Sequence, residues 1–453
     1  MKSRHPKVAH KLLDRPLVWW AVRSVREAGA DRVIVVVGSG ADEVRACVDD
    51  VPDVECVEQT ERLGTGHACK VAIEAAGVNE GTVVLTYGDT PLVQPATIAA
   101  LSEKVTGDGL AGAVLGMTPP DPTGYGRLAL DGQGHVEAII EHKDCTPEQR
   151  TSLTVCNSGV YAFDGVALAA HIGEIGHDNA QGEYYLTDMV EILRGHGLGF
   201  SAVCADDYRE LLGVNSRTQL AEATRIMQGR INARLMDEGV TMLDPTQVWV
   251  GAEVTVGRDT EILPQTMLWG ETSVGEDCVV GPGTRLTDVR VGDRCVVDET
   301  VASDAVIDND VDCGPRAYLR AGTHLCDGSK AGTHVEIKNS TIGAGSKVPH
   351  LSYIGDTTMG SGVNIGAGSI TCNYDGVNKH KTHIGDNVFV GSDTMMVAPV
   401  SIGDGALVGA SSCITKDVPA DALALERNEQ RVVEGYAARR WERLRAEADK
   451  RNS

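Results

Sequence analysis

A chain of 453 residues exceeds what one hydrophobic core usually holds, so we expect two domains. Its net charge of −23 repels phosphodiester backbones, which argues against a nucleic-acid partner but leaves room for small phosphorylated substrates held by local cations. The polar start of the chain (Lys2, Ser3, Arg4, His5) has no apolar signal core, and the longest aliphatic run, 33–37, is too short to cross a bilayer. We therefore expect a cytoplasmic protein without membrane insertion.

The twelve cysteines are scattered along the chain, and no two of them form a CxxC pair. Metal clusters and redox motifs need closer spacing, and a disulfide scaffold needs a small secreted domain. This distribution predicts buried, reduced thiols.

Residues 1–216 alternate short aliphatic runs with helical stretches. Arg32–Val37 and Thr82–Tyr87 are typical of buried parallel strands, and Pro16–Gly29 and Gly66–Ala76 of the helices between them. This alternation predicts an α/β domain with a Rossmann-like, doubly wound sheet. A helical linker is expected at 217–239.

Two features of this first domain favour ligand binding. Asp89 follows the strand 82–87, and ligands of open α/β sheets lie beyond the carboxyl ends of the strands. Upstream, a glycine-rich turn at 59–68 opens a helix, where bare amides could approach a base or a phosphate. Either feature alone is a weak signal and is more typical of a solvated turn or a helix cap.

Residues 240–453 contain an aliphatic residue at every sixth position over long stretches. A period of six fits neither a helix nor a strand, but it fits a chain that turns a corner every six residues, as in a parallel β-helix. A polar break at Cys372–His383 predicts an external loop of the kind that forms a binding face, and Tyr436–Arg451 predicts a terminal helix. The repeating aliphatic residues are Val250, Val256, Ile262, Leu268, Val274, Val280, Leu286, Ile342, Val348, Ile354, Ile384, Val390, Met396, Ile402, Val408 and Ile414.

Motifs in one fixed order span almost the whole chain and closely resemble the family of bifunctional N-acetylglucosamine-1-phosphate uridyltransferase and glucosamine-1-phosphate acetyltransferase. The resemblance implies an α/β nucleotidyltransferase domain followed by a left-handed parallel β-helix of hexapeptide repeats. In the first domain the motifs are Pro6–Val8, Gln59 with Leu63–Ala68, Tyr87–Asp89, Asp121–Gly126, Glu141–Lys143, Asn157–Gly159, Asn179–Tyr185 and Gly213–Asn215.

For the first domain the resemblance implies attack by the phosphate oxygen of N-acetylglucosamine-1-phosphate on the α-phosphate of UTP, with release of pyrophosphate. Such transfers depend mostly on positioning and charge neutralisation. By resemblance, Asp89 and Asn215 would bind Mg²⁺, a cation that prefers oxygen ligands, and Lys7 would neutralise phosphate charge. The remaining implied residues are Gln59, Gly64 and Thr65 at the uracil and Gly126, Glu141 and Asn157 at the amino sugar.

The family begins with a central strand and a loop of the form Leu-Ala-Ala-Gly-x-Gly-Thr-Arg-Met, and this sequence starts at the position of the final Met. We expect the biological chain to start upstream, with Met1 as an internal methionine. The alternative is a truncation that leaves the uridyltransferase site inactive.

For the second domain the resemblance implies that His350 is the general base for acetyl transfer. The ammonium of glucosamine-1-phosphate must lose a proton before it attacks acetyl-CoA, and an imidazole titrates in the required range. An amide of the turn 366–368 could stabilise the thioester oxyanion. The residues implied at the sugar phosphate are Arg320, Lys338, Tyr353 and Asn364, and those at acetyl-CoA are Ala367, Asn373, Tyr374, Lys379, Ser392, Ala410 and Arg427.

The resemblance further implies a homotrimer with acetyltransferase sites between subunits, and a role in making UDP-N-acetylglucosamine for cell-envelope polymers. Two alternatives stay open at this point. One is a monofunctional acetyltransferase with an inactive nucleotidyltransferase domain. The other is a non-catalytic scaffold, which would have no reason to keep His350, Asn373, Tyr374 and Lys379.

Overall fold

The computed structural model describes residues 1–177 and 182–452, and these form two compact units. The first unit comprises Met1–Arg234 with Val250–Ala252, and the second comprises Leu235–Trp249 with the residues from Glu253 onward. Part of the predicted motif Asn179–Tyr185 lies outside the described residues.

Short helices and one long helix alternate with strands through the first unit, as predicted. Gly77 ends one of these helices in a left-handed conformation, the usual C-terminal signal. The helices are α1 Leu17–Glu27, α2 Ala41–Arg45, α3 Thr65–Ala76, α4 Pro95–Asp108, α5 Pro147–Ser152, α6 Gly165–His171, α7 Asp188–Gly195 and α8 Arg217–Asp237, with single 3₁₀ turns at Lys7–Ala9, Ile172–Glu174 and Tyr208–Leu211.

The strands of this unit form one six-stranded sheet and two short two-stranded sheets. The large sheet has the order β10-β6-β9-β7-β8, with β5 paired to β9. The strands are β1 Lys11–Leu12, β2 Arg15–Pro16, β3 Val33–Val37, β4 Val54–Glu58, β5 Thr82–Leu85, β6 Gly112–Met117, β7 Arg127–Leu130, β8 Val136–Ile140, β9 Cys156–Asp164 and β10 Phe200–Cys204.

Helices cover both faces of the large sheet, which confirms the doubly wound architecture. Along β6, Ala113 and Leu115 pack into one hydrophobic cluster with α1 and α4. Val114 between them packs into a second cluster with α3, α6 and α7. Because successive side chains of a strand point to opposite faces, β6 is buried on both sides.

The prediction of a buried parallel strand at Thr82–Tyr87 was wrong in part. The strand β5 ends at Leu85, is half-buried, and pairs antiparallel with β9. An aliphatic run shows that a segment is buried, but it does not show which strand lies beside it. In the part of the chain that the structure describes, β3 pairs only with β4, and β5 only with β9.

The second unit is a parallel β-helix, as predicted. The chain passes in turn through three parallel ladders, and residues on consecutive coils stand in register, as Leu319 does with Ile337. The first ladder contains Thr241–Met242, Glu261–Ile262, Val279–Val280, Val296–Val297, Asp312–Cys313, Lys330–Thr333, Lys347–His350, Asn364–Ile365, Phe389–Val390, Leu407–Val408 and Leu423–Ala424.

The two other ladders share two long strands, Arg285–Val291 and Val301–Ile307. The second ladder also contains Trp249–Val250, Met267–Trp269, Tyr318–Leu319, Glu336–Lys338, Tyr353–Gly355, Ile370–Cys372, Met395–Val397 and Cys413–Ile414. The third also contains Thr255–Val256, Ser273–Val274, His324–Leu325, Thr341–Ile342, Thr357–Met359, Thr382–Ile384 and Val400–Ile402.

The six-residue aliphatic repeat fills the interior of the solenoid. All of the repeating aliphatic residues are buried except Val256, which is half-buried on an early coil. The predicted break forms a loop between the strands Ile370–Cys372 and Thr382–Ile384, with an isolated bridge between Tyr374 and Lys379. A short 3₁₀ turn at Pro245–Gln247 lies between the strands Thr241–Met242 and Trp249–Val250 of the first coil. The predicted terminal helix is α9, Tyr436–Asn452.

All twelve cysteines are free, as predicted, but only six are buried. Cys204 is exposed and the other five are half-buried. Among the described helices, none has the length and apolarity needed to span a bilayer.

Candidate active sites

The predicted magnesium ligands of the first unit lie on either side of the Lys7 side chain. Lys7 sits in a single 3₁₀ turn, Asp89 follows β5, and Asn215 precedes α8. The Lys7 ammonium contacts the Asp89 carboxylate and donates to Asn215 Oδ1 over 2.7 Å. The backbone fixes this arrangement, because the Val214 amide donates to the carbonyl of Asp89 over 2.8 Å.

These groups suit a divalent cation. Asp89 and Asn215 offer a carboxylate and an amide oxygen, the oxygen ligands that Mg²⁺ prefers. Both oxygens already contact one cationic group, the Lys7 ammonium, so the space between them favours a positively charged ligand. Lys7 would have to turn toward a bound phosphate when a metal ion binds these oxygens.

The glycine-rich turn packs against a neighbouring stretch of the chain. Gly64 has a φ of 102°, and a Cβ placed there would lie 2.6 Å from the carbonyl oxygen of Tyr184. The Gly66 amide donates to that same oxygen over 2.8 Å, and Thr65 Oγ1 accepts from the Leu186 amide over 3.2 Å. Gly64 is therefore required by close backbone packing as well as by its conformation.

Gln59 lies against the same turn. Its Nε2 donates to the Gly64 carbonyl over 3.2 Å and lies 2.9 Å from His67 Nδ1. These contacts fix the orientation of the amide that the family resemblance assigns to the uracil. The structure thus brings together Gln59, Gly64 and Thr65, as the prediction requires.

Two of the three residues predicted at the amino sugar contact each other, and the third lies at the end of a neighbouring strand. The Asn157 amide donates to the Gly126 carbonyl over 2.9 Å, and Glu141 directly follows β8 beside β7. The Asn157 side chain is held by Tyr161, to whose hydroxyl its Nδ2 donates over 2.9 Å. Burial, and then the nearby carboxylates of Asp89 and Glu141, raises the pKa of Tyr87. This phenol therefore lies close to both the predicted metal ligand and the predicted sugar ligand.

In the second unit, a groove of about 480 Å³ brings five predicted residues together on neighbouring coils. Phe389 and Leu407 form its apolar part and remain 50% and 45% exposed. The five predicted residues that line it are His350, Asn364, Ala367, Ser392 and Ala410.

His350 lies at the end of the strand Lys347–His350, and its imidazole is exposed. Among the described residues, its ring makes no hydrogen bond, so both nitrogens can reach a ligand in the groove. In the nearby turn, the Gly366 amide is engaged with the Val390 carbonyl over 2.7 Å. The Ala367 amide donates to none of the described residues, so it can bind an oxyanion in the same groove.

A buried aspartate that the sequence analysis missed holds Lys338, predicted at the sugar phosphate, and Asn373, predicted at acetyl-CoA. The Asp356 carboxylate accepts from Lys338 Nζ over 3.2 Å, from Asn339 Nδ2 over 2.7 Å, and from Asn373 Nδ2 over 2.6 Å. Burial would raise the pKa of Asp356, but these hydrogen bonds and the Lys338 charge outweigh it and lower that pKa. Nothing in the sequence distinguishes Asp356 from the many aspartates at coil corners.

The lysines beside Asp356 affect one another. Contact with Lys379, and then with Asp356, raises the pKa of Lys338, whereas contact with the Lys338 ammonium lowers the pKa of Lys379. Of the two lysines, Lys338 therefore keeps its proton more strongly.

The other predicted residues of this unit are more exposed. Arg320 Nη1 pairs with Glu336 Oε1 at 2.9 Å, a carboxylate that the sequence analysis also missed. The Tyr353 hydroxyl lies 3.4 Å from Asn373 Nδ2. Arg427 Nη1 donates to the Ala410 carbonyl over 3.3 Å, and Tyr374 is exposed in the external loop.

Comparison with known proteins agrees with both halves of this description. Residues 1–225 match the model of the MobA-like NTP transferase domain, and residues 381–416 match the bacterial transferase hexapeptide with six repeats. The chain is 48% identical to the bifunctional protein GlmU of Heliobacterium modesticaldum, over 97% of this chain and 95% of that protein. The GlmU proteins of Streptomyces avermitilis and Thermobifida fusca are also 48% identical, each over 97% of this chain and 92% of their own length.

This chain belongs to the GlmU family.

Membership in the GlmU family confirms the predicted resemblance and the predicted bifunctional enzyme, an acetyltransferase and a uridyltransferase. It does not favour the monofunctional or the scaffold alternative. The roles of the individual residues stay predictions.

Proposed function

We propose that the β-helix unit transfers the acetyl group of acetyl-CoA to the amine of glucosamine-1-phosphate. The observation that carries this proposal is that His350, which has no partner among the described residues, and the unengaged Ala367 amide line one groove. A general base and an oxyanion donor are the two groups that acyl transfer to an amine needs.

In this step His350 takes a proton from the substrate ammonium, and the freed amine attacks the thioester carbon. The carbonyl oxygen becomes an oxyanion that accepts a hydrogen bond from the Ala367 amide. When the carbon–sulfur bond breaks, the coenzyme thiolate leaves and takes the proton held by His350, and the amide nitrogen loses its remaining extra proton to the solvent. Arg320 and Lys338 would hold the sugar phosphate, while Tyr353 and Asn364 would orient the sugar.

The coenzyme would lie along the apolar part of the groove. Ser392, Ala410 and Ala367 line this groove, and the half-exposed Phe389 and Leu407 offer apolar surface to its pantetheine arm. Lys379 and Arg427 would meet its phosphates, with Asn373 and Tyr374 beside the acceptor.

We further propose that the first unit converts the acetylated product to UDP-N-acetylglucosamine. The phosphate oxygen of N-acetylglucosamine-1-phosphate attacks the α-phosphorus of UTP, and pyrophosphate leaves. Mg²⁺ bound by Asp89 and Asn215 would neutralise charge on the phosphates. Lys7 would add a second cation, Gln59, Gly64 and Thr65 would hold uracil, and Gly126, Glu141 and Asn157 would hold the amino sugar.

The proposal includes a cytoplasmic homotrimer that supplies cell-envelope polymers. Support for assembly comes from exposed apolar side chains that do not line the groove, Leu423 at 61% and Leu425 at 51%, since a neighbouring subunit would cover such surface. Sedimentation equilibrium of the full chain should give three times its mass of 47.9 kDa. A stable monomer with full acetyl transfer would reject a site built between subunits.

Two assays on one preparation test the two activities separately. Free thiol release from acetyl-CoA should require glucosamine-1-phosphate, and pyrophosphate release from UTP should require N-acetylglucosamine-1-phosphate and Mg²⁺. Thiol release in the absence of the amino sugar would contradict the assigned acceptor. So would an equal rate of thiol release with unphosphorylated glucosamine.

A further inference from the structure

Three potential metal ligands lie on two consecutive coils of the β-helix, and none of them is among the residues assigned to acetyl transfer. Asp308 follows the strand Val301–Ile307, His324 opens the next strand on this ladder, and Cys326 follows that strand. His324 Nε2 lies 2.7 Å from Asp308 Oδ2. The ligand atoms of all three side chains lie within 4.8 Å of one another.

The ladder places these side chains on one outer face. Ile307 and Leu325 are paired in the ladder and point into the buried interior. Because side chains alternate along a strand, the residues next to this pair, Asp308, His324 and Cys326, point outward. The regular parallel pairing of the two coils is enough to bring the three side chains together.

The backbone at these positions is held firmly by the neighbouring coil. The His324 amide donates to the Ser340 carbonyl over 2.9 Å, and the Cys326 amide donates to the Ile342 carbonyl over 2.9 Å. Sites built on hydrogen-bonded strands hold their geometry better than sites on loops. All three side chains are half-buried, which shields a bound ion while leaving a path for its entry.

The donor set selects the kind of ion. A thiolate, an imidazole and a carboxylate are ligands of Zn²⁺ and related transition-metal ions, whereas Mg²⁺ takes oxygen ligands. Cys326 is a free cysteine and can supply the thiolate.

We propose that Asp308, His324 and Cys326 bind one divalent transition-metal ion of the Zn²⁺ class, with water completing four-coordination. On binding, the Cys326 sulfur loses its proton to the solvent and forms the metal–sulfur bond, and His324 binds as the neutral imidazole. The ion would link two coils of the solenoid and stabilise the folded state, because the unfolded chain does not hold the three ligands together.

Cobalt titration of the full-length protein tests this site directly. Co²⁺ substitutes for Zn²⁺, and a cobalt–thiolate bond gives a near-ultraviolet charge-transfer band. With excess Mg²⁺ present to occupy oxygen-ligand sites, we expect the band to saturate at one Co²⁺ per chain and to disappear when Zn²⁺ is added. Cys326→Ser should abolish it, and Asp308→Asn and His324→Gln should each weaken Co²⁺ binding by at least about tenfold.

Two control variants separate this site from other metal binding. Cys204→Ser removes the exposed cysteine, and His196→Ala disrupts a second trio, His171, Glu174 and His196, whose ligand atoms also lie within 4.8 Å. Both controls should keep the full band, and Zn²⁺ should raise the melting temperature of both but not of Cys326→Ser. Absence of a stoichiometric band in the unsubstituted protein, its survival in Cys326→Ser, or its loss in Cys204→Ser would overturn the proposal. Circular dichroism of each variant checks its fold. Asp308→Asn tests the metal site with the Cys326 thiol still in place.

Discussion

The two predicted active sites differ in how their charged groups are satisfied before substrate binds. In the first unit, Lys7, Asp89 and Asn215 already contact one another, so substrate and metal must replace these contacts. In the β-helix, the His350 ring has no hydrogen-bond partner among the described residues. The Asp356 carboxylate accepts hydrogen bonds from the side chains of Lys338 and Asn373 and so fixes their positions. The first site must rearrange on binding, whereas the second is already organised for its substrates. Activity at the first site should therefore respond most to a change of charge among its contacting residues. Activity at the second site should respond most to loss of the residues that hold its side chains in place.

Removal of the His350 imidazole should have the largest effect. His350→Ala should slow acetyl transfer by about 10²–10⁴-fold, the usual contribution of a general base. Pyrophosphate release in the same preparation should not change, because His350 belongs to the other unit. The matched control is His383→Asn, which alters another exposed histidine of the solenoid. Thiol release at the unsubstituted rate in His350→Ala would refute the assigned base.

Neutralisation of Asp89 should have the next largest effect. Asp89→Asn should lower Mg²⁺-dependent pyrophosphate release by about 10²–10³-fold, since it removes the charge that would position a cation at the phosphates in the proposed mechanism. Higher Mg²⁺ should restore part of the rate if Asp89 binds the metal. Asp49→Asn, at an exposed position of the same unit, is the control. A reduced rate that no Mg²⁺ concentration improves would favour a role confined to holding Lys7.

Loss of the Asp356 charge tests whether the second site depends on its support. Asp356→Asn should lower kcat/KM for glucosamine-1-phosphate by about tenfold, as expected when charged hydrogen bonds to Lys338 are lost. Most of this change should appear in KM, because in the proposed mechanism Lys338 would bind the phosphate equally in the ground and transition states. Asp277→Asn, at an exposed coil position, should change neither constant. An unchanged KM would contradict the positioning role.

The same variant has a defined dependence on pH. The folded state holds the pKa of Asp356 below its ordinary value, so its stabilising effect is present above about pH 4 and is lost as the pH falls through the folded pKa. The difference in unfolding free energy between the unsubstituted protein and Asp356→Asn should therefore shrink on acidification. Urea unfolding at several pH values measures it, and a difference that grows toward low pH would oppose this assignment.

A glycine substitution should give the smallest effect. Gly64→Ala should destabilise the first unit by about 1–3 kcal/mol, because it adds overlap with Tyr184 to the strain of a positive φ. Gly77→Ala is the matched control, since its φ is 63° but no atom lies within 4 Å of the added methyl group. Its cost should be about 1 kcal/mol. Equal melting temperatures of the two variants would show that the contact with Tyr184 contributes nothing.

Much of the fold could be predicted because it depends on local repetition. The six-residue aliphatic repeat predicted the solenoid, since each coil buries one such residue per side, as Leu268 and Val390 show. The polar break at 372–383 predicted the loop because its residues could not fill the interior. The site residues could be proposed because family motifs carry them in order, and their roles stay predictions. The structure places Gln59 against Gly64 and Asn157 against Gly126.

The solenoid, the α/β alternation and the chemistry expected at His350 and Asp89 follow from the amino-acid sequence, because periodicity and motifs are local properties. The folded structure was needed to show that β5 pairs antiparallel with β9, since an aliphatic run does not encode its partner. It also decided which polar residues matter beyond the motifs. Asp356 contacts Lys338 and Asn373, and Asp308 contacts His324, because the coils stack residues some sixteen to eighteen positions apart. Such pairings come from the geometry of the stacked coils, and no short stretch of sequence contains them.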